Sequence, residues 1–142
     1  NYPVRVVKTS SSIYNFDNYK TSITMDKALI EEKNYPHTTN YPEADCIDEV
    51  MEQDFVNAAN ADPNKELTVK NVIITSRDWV VYNDQTGKPI KRNRIAVVTT
   101  EIDSRCFLQH CFFQQDASES VYGATYVSDA YGWKEFDCSL KP

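Results

Sequence analysis

The chain has 142 residues and a formal net charge of −6, with 41% hydrophobic residues, 25% charged residues and three glycines. This size and composition are typical of one globular domain with its own core, and they exclude a disordered chain. The negative charge repels phosphate backbones, so nucleic acid is not an expected partner. The longest apolar runs have the length of strands, well short of the roughly 20 residues of a membrane-spanning helix, so we expect no transmembrane segment.

The first 42 residues have the pattern of an irregular segment. The triplet Asn-Tyr-Pro occurs there three times, and proline prevents a helix from continuing through it. A short strand is predicted over Val4–Lys8. A short helix is predicted over Thr24–Lys33, with the Thr24 hydroxyl as its cap. We expect residues 1–142 to form a single domain, in which residues 1–42 are the irregular part and residues 43–138 form a helix and a sheet.

The strongest helical pattern runs from about Pro42 to Asn60. Pro42 suits the first turn of a helix, and the acidic residues that follow it complement the positive end of the helix dipole. Asp62 and Pro63 are expected to end the helix. Apolar residues recur at three- and four-residue steps and predict one buried stripe, formed by Ile47, Val50, Met51, Phe55 and Ala58.

The pattern changes from helix to strand after Leu67. Gly87 is expected to adopt the left-handed conformation that closes a hairpin loop, and a second tight turn is predicted at Asp103 and Ser104. The first two strands are expected to be one bent strand, broken at Ser76 and Arg77. The predicted strands are Leu67–Thr75, Asp78–Asn83, Ile90–Glu101, Arg105–Gln115, Tyr122–Val127 and Trp133–Cys138.

These elements predict an α+β fold in which a long helix packs on a four-stranded antiparallel meander sheet. The element order over residues 43–138 resembles that of the cystatin-like and NTF2-like folds. Such folds host enzymes, transport factors, inhibitors and binding modules, so the resemblance implies an architecture and no particular activity.

The four cysteines are Cys46, Cys106, Cys111 and Cys138. Cys106 and Cys111 point to opposite faces of one strand, which argues against a bond between them. A Cys106–Cys138 disulfide is favoured, because the last strand should lie beside the strand that holds Cys106. A Cys46–Cys138 disulfide and four free thiols are the alternatives. The even cysteine count, together with a first residue that is Asn1 rather than Met, favours an extracytoplasmic bacterial protein that is periplasmic, cell-surface or secreted.

His110 is the one weak candidate for a catalytic group. Its imidazole could act as a general base in a pocket, oriented by the carboxylate of Asp78. The alternative is an ordinary strand histidine without a chemical role. Sequence motifs for nucleophilic catalysis, zinc binding and phosphate binding are missing. We therefore expect no cofactor, no metal site and no catalytic activity.

The tyrosine-rich end of the chain is the predicted recognition surface, because tyrosine and tryptophan offer a large contact area with few rotamers. Its residues are Tyr122, Tyr126, Tyr131 and Trp133. Two charged sets are interpreted mainly as solvated surface, although each could contact a partner of opposite charge. The basic set is Lys88, Lys91, Arg92 and Arg94, and the acidic set is Glu43, Asp45, Asp48, Glu49, Glu52 and Asp54.

Three hypotheses about function follow from these observations. The leading one is an extracytoplasmic module that binds an unknown protein or small ligand without catalysis. The second is a small pocket enzyme of the NTF2-like type that uses His110 and a carboxylate. The third is an acidic inhibitor or immunity-type protein that docks through its acidic helix. The sequence leaves the ligand and the oligomeric state open.

Overall fold

A computed structural model describes residues 25–142, and this part of the chain is an α+β structure with two helices and a large antiparallel sheet. Residues 25–32 form helix α1, inside the range predicted for the first helix. The predicted strand Val4–Lys8 and the Thr24 cap lie outside the described residues. Helix α1 belongs to a unit that ends at Asn34, and Tyr35–Pro142 form a second compact unit that contains the second helix and the sheet.

Helix α2 spans Glu49–Ala61, so the predicted start at Pro42 is wrong. The preceding segment uses its backbone to extend the sheet instead, because the amide of Asp45 donates to the carbonyl of Ile74 at 2.9 Å. Asp48 is the cap of the helix, since its carboxylate accepts a hydrogen bond from a backbone amide in the first turn at 3.1 Å. The helix therefore begins where a side chain can satisfy its first amides.

The later start of α2 changes which side chains it buries. Phe55 and Ala58 lie in the core as predicted, but Ile47 and Val50 are 84% and 82% exposed. Ile47 precedes the helix and Val50 lies in its first turn, so the predicted stripe is wrong at both positions. The helix ends just before Pro63, in agreement with the sequence.

Within residues 25–142 the sheet has seven strands, and the four-stranded meander is therefore wrong in its details. Strands β3 and β4 form a central hairpin of two 14-residue strands. Strands β1 and β2 pair with β3, and strands β5, β6 and β7 pair with β4, all antiparallel. The strands are β1 Asn71–Ile74, β2 Val80–Asn83, β3 Pro89–Ile102, β4 Arg105–Ser118, β5 Val121–Tyr122, β6 Tyr126–Ala130 and β7 Lys134–Phe136.

Local contacts divide the outer strands into short pieces. The guanidinium of Arg94 donates to the carbonyls of Ser76 and Arg77, and these bonds hold the chain in a loop between β1 and β2. A register shift between Phe112 and Phe113 marks a bulge opposite β6. The sheet therefore contains more and shorter strands than the hydrophobic pattern alone predicts.

Tight turns connect the long strands. Asp103 and Ser104 have φ values of 51° and 65°, and Glu119 and Ser120 have φ values of 51° and 67°. Two consecutive left-handed residues match the twist of the flanking strands, which explains how such short loops join them. Gly87 has a φ of 88°, so the predictions for this glycine and for the turn after β3 are confirmed.

One face of the sheet, which we call the helix face, packs against α2. Phe55 of the helix stacks on Phe113 of β4 with ring centroids 4.2 Å apart, and Phe107 meets Tyr35 edge-on at 5.3 Å. These aromatic pairs form the centre of the main core. The aliphatic residues buried with them include Leu67, Val69, Val72, Ile74, Ala96 and Val98.

The opposite face, which we call the open face, is covered at one end. A small second core there consists of Val97, Cys106, Leu108 and Phe136, with Tyr41, Ile73 and Cys138 packed around it. At the other end, large apolar side chains from β3, β4 and β6 stay accessible. The open face therefore has a covered end beside the β3–β4 turn and an exposed end near β6.

Candidate functional site

The exposed end of the open face carries an aromatic patch, which we call the open patch and define as Ile95, Phe112, Tyr126 and Tyr131. Tyr131, Tyr126 and Ile95 are 57%, 40% and 37% exposed. Phe112 is half-buried, lies opposite Ile95 in the sheet register, and meets Tyr131 edge-on with centroids 6.3 Å apart. Exposed apolar side chains grouped on one face in this way are typical of an interaction site.

The ring of Tyr126 is fixed by a polar network. Its hydroxyl donates to the carboxylate of Asp116, 3.0 Å from either oxygen. The side-chain amide of Gln114 donates to the Tyr126 hydroxyl at 2.7 Å and to Asp116 at 2.8 Å. Burial and the hydrogen bond to Asp116 raise the pKa of Tyr126, so the phenol stays protonated at neutral pH. The ring is held in one orientation, which reduces the entropy lost on binding.

The predicted recognition residues do not all meet on one surface. Tyr126 and Tyr131 share the open patch, but Trp133 is only 3% exposed and belongs to the interior. Tyr122 lies in the separate strand β5, where its ring stacks on the guanidinium of Arg92 at 3.9 Å on the helix face. The predicted strand Tyr122–Val127 is divided into β5 and β6, which present Tyr122 and Tyr126 to opposite faces.

The predicted basic set is also divided by the structure. Arg92 lies between the rings of Trp79 and Tyr122, 4.3 Å from the first and 3.9 Å from the second. Arg94 is 5% exposed and holds the loop between β1 and β2. Lys91 lies over the ring of Tyr82 at 5.1 Å, on the open face. The two arginines therefore have structural contacts, and the set does not form one basic surface.

His110 and Asp78 are not brought together. His110 lies on the open face opposite Val97 and is half-buried, whereas Asp78 is exposed in the loop before β2. Burial and the charge of Lys134 lower the pKa of His110. No hydrogen bond or ion pair within residues 25–142 joins the imidazole to a carboxylate. Helix α2 covers the other face, so His110 does not line the space between helix and sheet.

The disulfide joins Cys106 and Cys138, the pairing that the sequence favoured, with 2.11 Å between the sulfur atoms. Cys46 and Cys111 are free thiols. The pKa of Cys111 is raised to about 12, mainly by burial and to a smaller extent by the negative charges of Asp62 and Asp129. The structure therefore excludes the Cys46–Cys138 bond and the set of four free thiols.

Glu101 lies beside the disulfide. Its carboxylate and the sulfurs of Cys106 and Cys138 fall within 4.8 Å of one another, which is a spacing that metal ligands can have. The two sulfurs are bonded to each other, however, and a disulfide does not supply thiolate ligands. In the oxidised chain the group offers one carboxylate, which does not make a metal site.

A polar pocket of about 260 Å³ opens near this carboxylate, at the covered end of the open face. The charged lining residues come from the position before β1, from β3 and the turn after it, and from the C-terminal segment, and Phe136 also lines the pocket. Its lining residues are Lys70, Asn71, Thr99, Thr100, Glu101, Asp103, Phe136 and Lys141. Sequence analysis missed this pocket, because its residues come from three distant parts of the chain and share no motif.

The chain matches no protein-family model, no curated protein and no solved structure. The resemblance of its element order to cystatin-like and NTF2-like folds therefore stays a prediction. No helix within residues 25–142 is long and apolar enough to cross a membrane.

Proposed function

We propose that this protein is an extracytoplasmic module that binds a partner protein through the open patch and performs no catalysis. The exposed aromatic patch of Ile95, Phe112, Tyr126 and Tyr131 is the observation that carries the proposal. Small-molecule sites are usually concave, whereas the open patch lies on the face of a sheet. A protein surface is the partner that such a face fits best.

The chemistry of the patch supports recognition by contact area. Tyrosine rings bury a large surface at a small cost in side-chain entropy, and they are enriched among the residues that dominate binding energy. The hydrogen bonds from Tyr126 to Asp116 and from Gln114 to Tyr126 hold one ring before a partner arrives. Tyr131 supplies the larger exposed ring.

The Cys106–Cys138 disulfide supports the extracytoplasmic part of the proposal. Structural disulfides persist in oxidising compartments and are rare in the cytosol of mesophiles. The non-catalytic part is supported by His110, whose imidazole has no carboxylate partner among residues 25–142. A general base needs a group that orients it and a site that holds the substrate.

Site-specific photo-cross-linking in the source cells tests the proposal. A photoreactive phenylalanine analogue replaces Tyr131 in the open patch, and a matched variant carries the same analogue at Gln53, which is exposed on α2. We expect a discrete cross-linked protein from position 131 and none from position 53. Equal adducts from both positions, or none from position 131, would contradict the proposal.

A competition experiment shows whether the cross-link reports the patch itself. The partner protein, once identified from the cross-link, is purified and mixed with the position-131 variant. An excess of purified wild-type protein, added before irradiation, should suppress the adduct. A Tyr126→Ala/Tyr131→Ala double variant should fail to compete, while a Gln53→Ala variant should compete like the wild type. Suppression by the double variant would move the binding surface away from the open patch.

A second candidate function is supported by the exposed apolar residues at the start of α2. Ile47 and Val50 are more than four-fifths exposed and stand among acidic residues that include Asp45 and Glu49. An apolar tip with an acidic rim fits a basic partner, as the inhibitor hypothesis requires. Affinity for such a partner should fall steeply with salt and should be lost in Ile47→Ser/Val50→Ser, and a salt-independent affinity would reject this candidate.

A further inference from the structure

The polar pocket at the covered end of the open face is separate from the open patch. Its lining residues come from the start of β1, the end of β3 and the C-terminal segment, whereas the open patch is formed by the middle of β3 together with β4, β6 and the residue after β6. Its volume of about 260 Å³ lies below the range usual for drug-sized ligands, so it suits a smaller molecule.

Charges of both signs surround the pocket. The ammonium of Lys141 lies 2.7 Å from a carboxylate oxygen of Glu101, and the ammonium of Lys70 donates to the backbone carbonyl of Glu101 at 3.1 Å. Each ammonium has three donors, so these contacts leave donors for a ligand. Asp103 adds a second carboxylate to the lining. A ligand with a single charge would meet a like charge at this rim, whereas one with two opposite charges would not.

Uncharged polar groups also line the pocket. Thr99 lines the pocket and is only 5% exposed. Asn71, at the start of β1, is exposed and contributes a side-chain amide to the lining. A lining of hydroxyl, amide and charged groups suits a polar ligand rather than an apolar one.

We propose that this pocket binds a small zwitterion of the α-amino acid class. Lys70 and Lys141 bind the ligand carboxylate, and Glu101 and Asp103 bind its ammonium group. The hydroxyl of Thr99 supplies a further hydrogen bond. This binding is independent of the partner protein and of the open patch.

The test uses L-alanine and its two half-molecules, propionate and ethylamine, as probes. The oxidised full chain is titrated with each probe, and backbone amide signals are followed by two-dimensional NMR. We expect saturable shifts with L-alanine at Thr99, Glu101 and Lys141, and no saturable shifts with either half-molecule over the same range. No shift with L-alanine, or equal responses to all three probes, would overturn the proposal.

Charge-removing variants locate the site. Glu101→Gln and Lys141→Met should each weaken L-alanine binding by about tenfold, since a hydrogen bond to a charged group is lost. Both side chains are partly exposed, so thermal unfolding should show that the variants stay folded. The matched controls are Glu119→Gln and Lys88→Met, which lie in other turns and should bind like the wild type. Unchanged binding in both pocket variants would also overturn the proposal.

Discussion

Cys111 shows how burial controls the reactivity of a single side chain. It lies on the helix face, and burial raises its pKa to about 12, so the thiol stays protonated at neutral pH. We expect an alkylating reagent to modify Cys46 in the native protein and to spare Cys111. Both thiols should react after unfolding without reductant, as followed by intact mass and peptide mapping. Equally fast native modification of the two would show that this part of the core is open to solvent.

His110 makes stability depend on pH in a defined direction. Burial and the charge of Lys134 lower its pKa in the folded chain below its value of about 6.5 in the unfolded chain. The unfolded state therefore takes up the proton first, and stability falls as the pH drops through this interval. A His110→Gln variant should lose less stability than the wild type between about pH 7 and about pH 5, as measured by urea unfolding. Identical losses would show that His110 does not contribute to this dependence.

Residue types alone identified Tyr126 and Tyr131 as surface candidates, but not their neighbours. Phe112 could have been added, because strand alternation places it on the same face as His110. The burial of Trp133 could not be predicted in this way, because it depends on how the chain turns between β6 and β7. The role of a strand residue depends on which face of the sheet its side chain lies on, and that face depends on where the strand begins and ends.

At the scale of elements, the left-handed turn after β4 predicts a stabilising substitution. Ser120 has a φ of 67°, a conformation that costs a residue with a side chain about 1–2 kcal/mol. A Ser120→Gly variant should therefore raise the free energy of unfolding by about 0.5–1 kcal/mol, once the added freedom of the unfolded chain is subtracted. Ser118→Gly, at the last residue of β4, is the matched control and should lower it. Urea unfolding measures both, and a loss of stability in Ser120→Gly would contradict this account of the turn.

The central elements of the fold were predictable and the outer ones were not. Helix α2 and the β3–β4 hairpin have long periodic patterns, and Gly87 marks its turn by its residue type. The start of α2 shifted because Asp45 bonds to the edge of the sheet, a tertiary contact that no local pattern contains. The loop held by Arg94 divides the outer strand for the same reason.

For the whole molecule, the disulfide connects the C-terminal segment to the covered end of the open face. It joins residues 32 positions apart, a separation for which restriction of the unfolded chain contributes about 3–4 kcal/mol. A Cys106→Ala/Cys138→Ala variant should lose stability of this order in urea unfolding. The control Cys46→Ala removes a free thiol and should change stability far less. A loss of under about 1 kcal/mol in the double variant would show that the covered end is stable without the bond.

The polar pocket could not be predicted from the sequence, because it depends on contacts between distant parts of the chain. Lys70, Glu101 and Lys141 are distant in the chain and meet only because β1 pairs with β3 and the C-terminus folds back. The disulfide was predictable because strand order brings Cys138 beside β4. Non-local contacts that involve neither a disulfide nor a sequence motif could not be predicted from the sequence.

The central claim is that the protein acts outside the reducing cytoplasm as a disulfide-closed binding module. Acid quenching of the source cells, followed by alkylation under denaturing conditions and intact mass, tests it most directly, because it reports the cysteine state before air oxidation. The account predicts two alkylated cysteines, Cys46 and Cys111, with Cys106 and Cys138 protected until a reductant is added. Four alkylated cysteines in the quenched cells would contradict the claim.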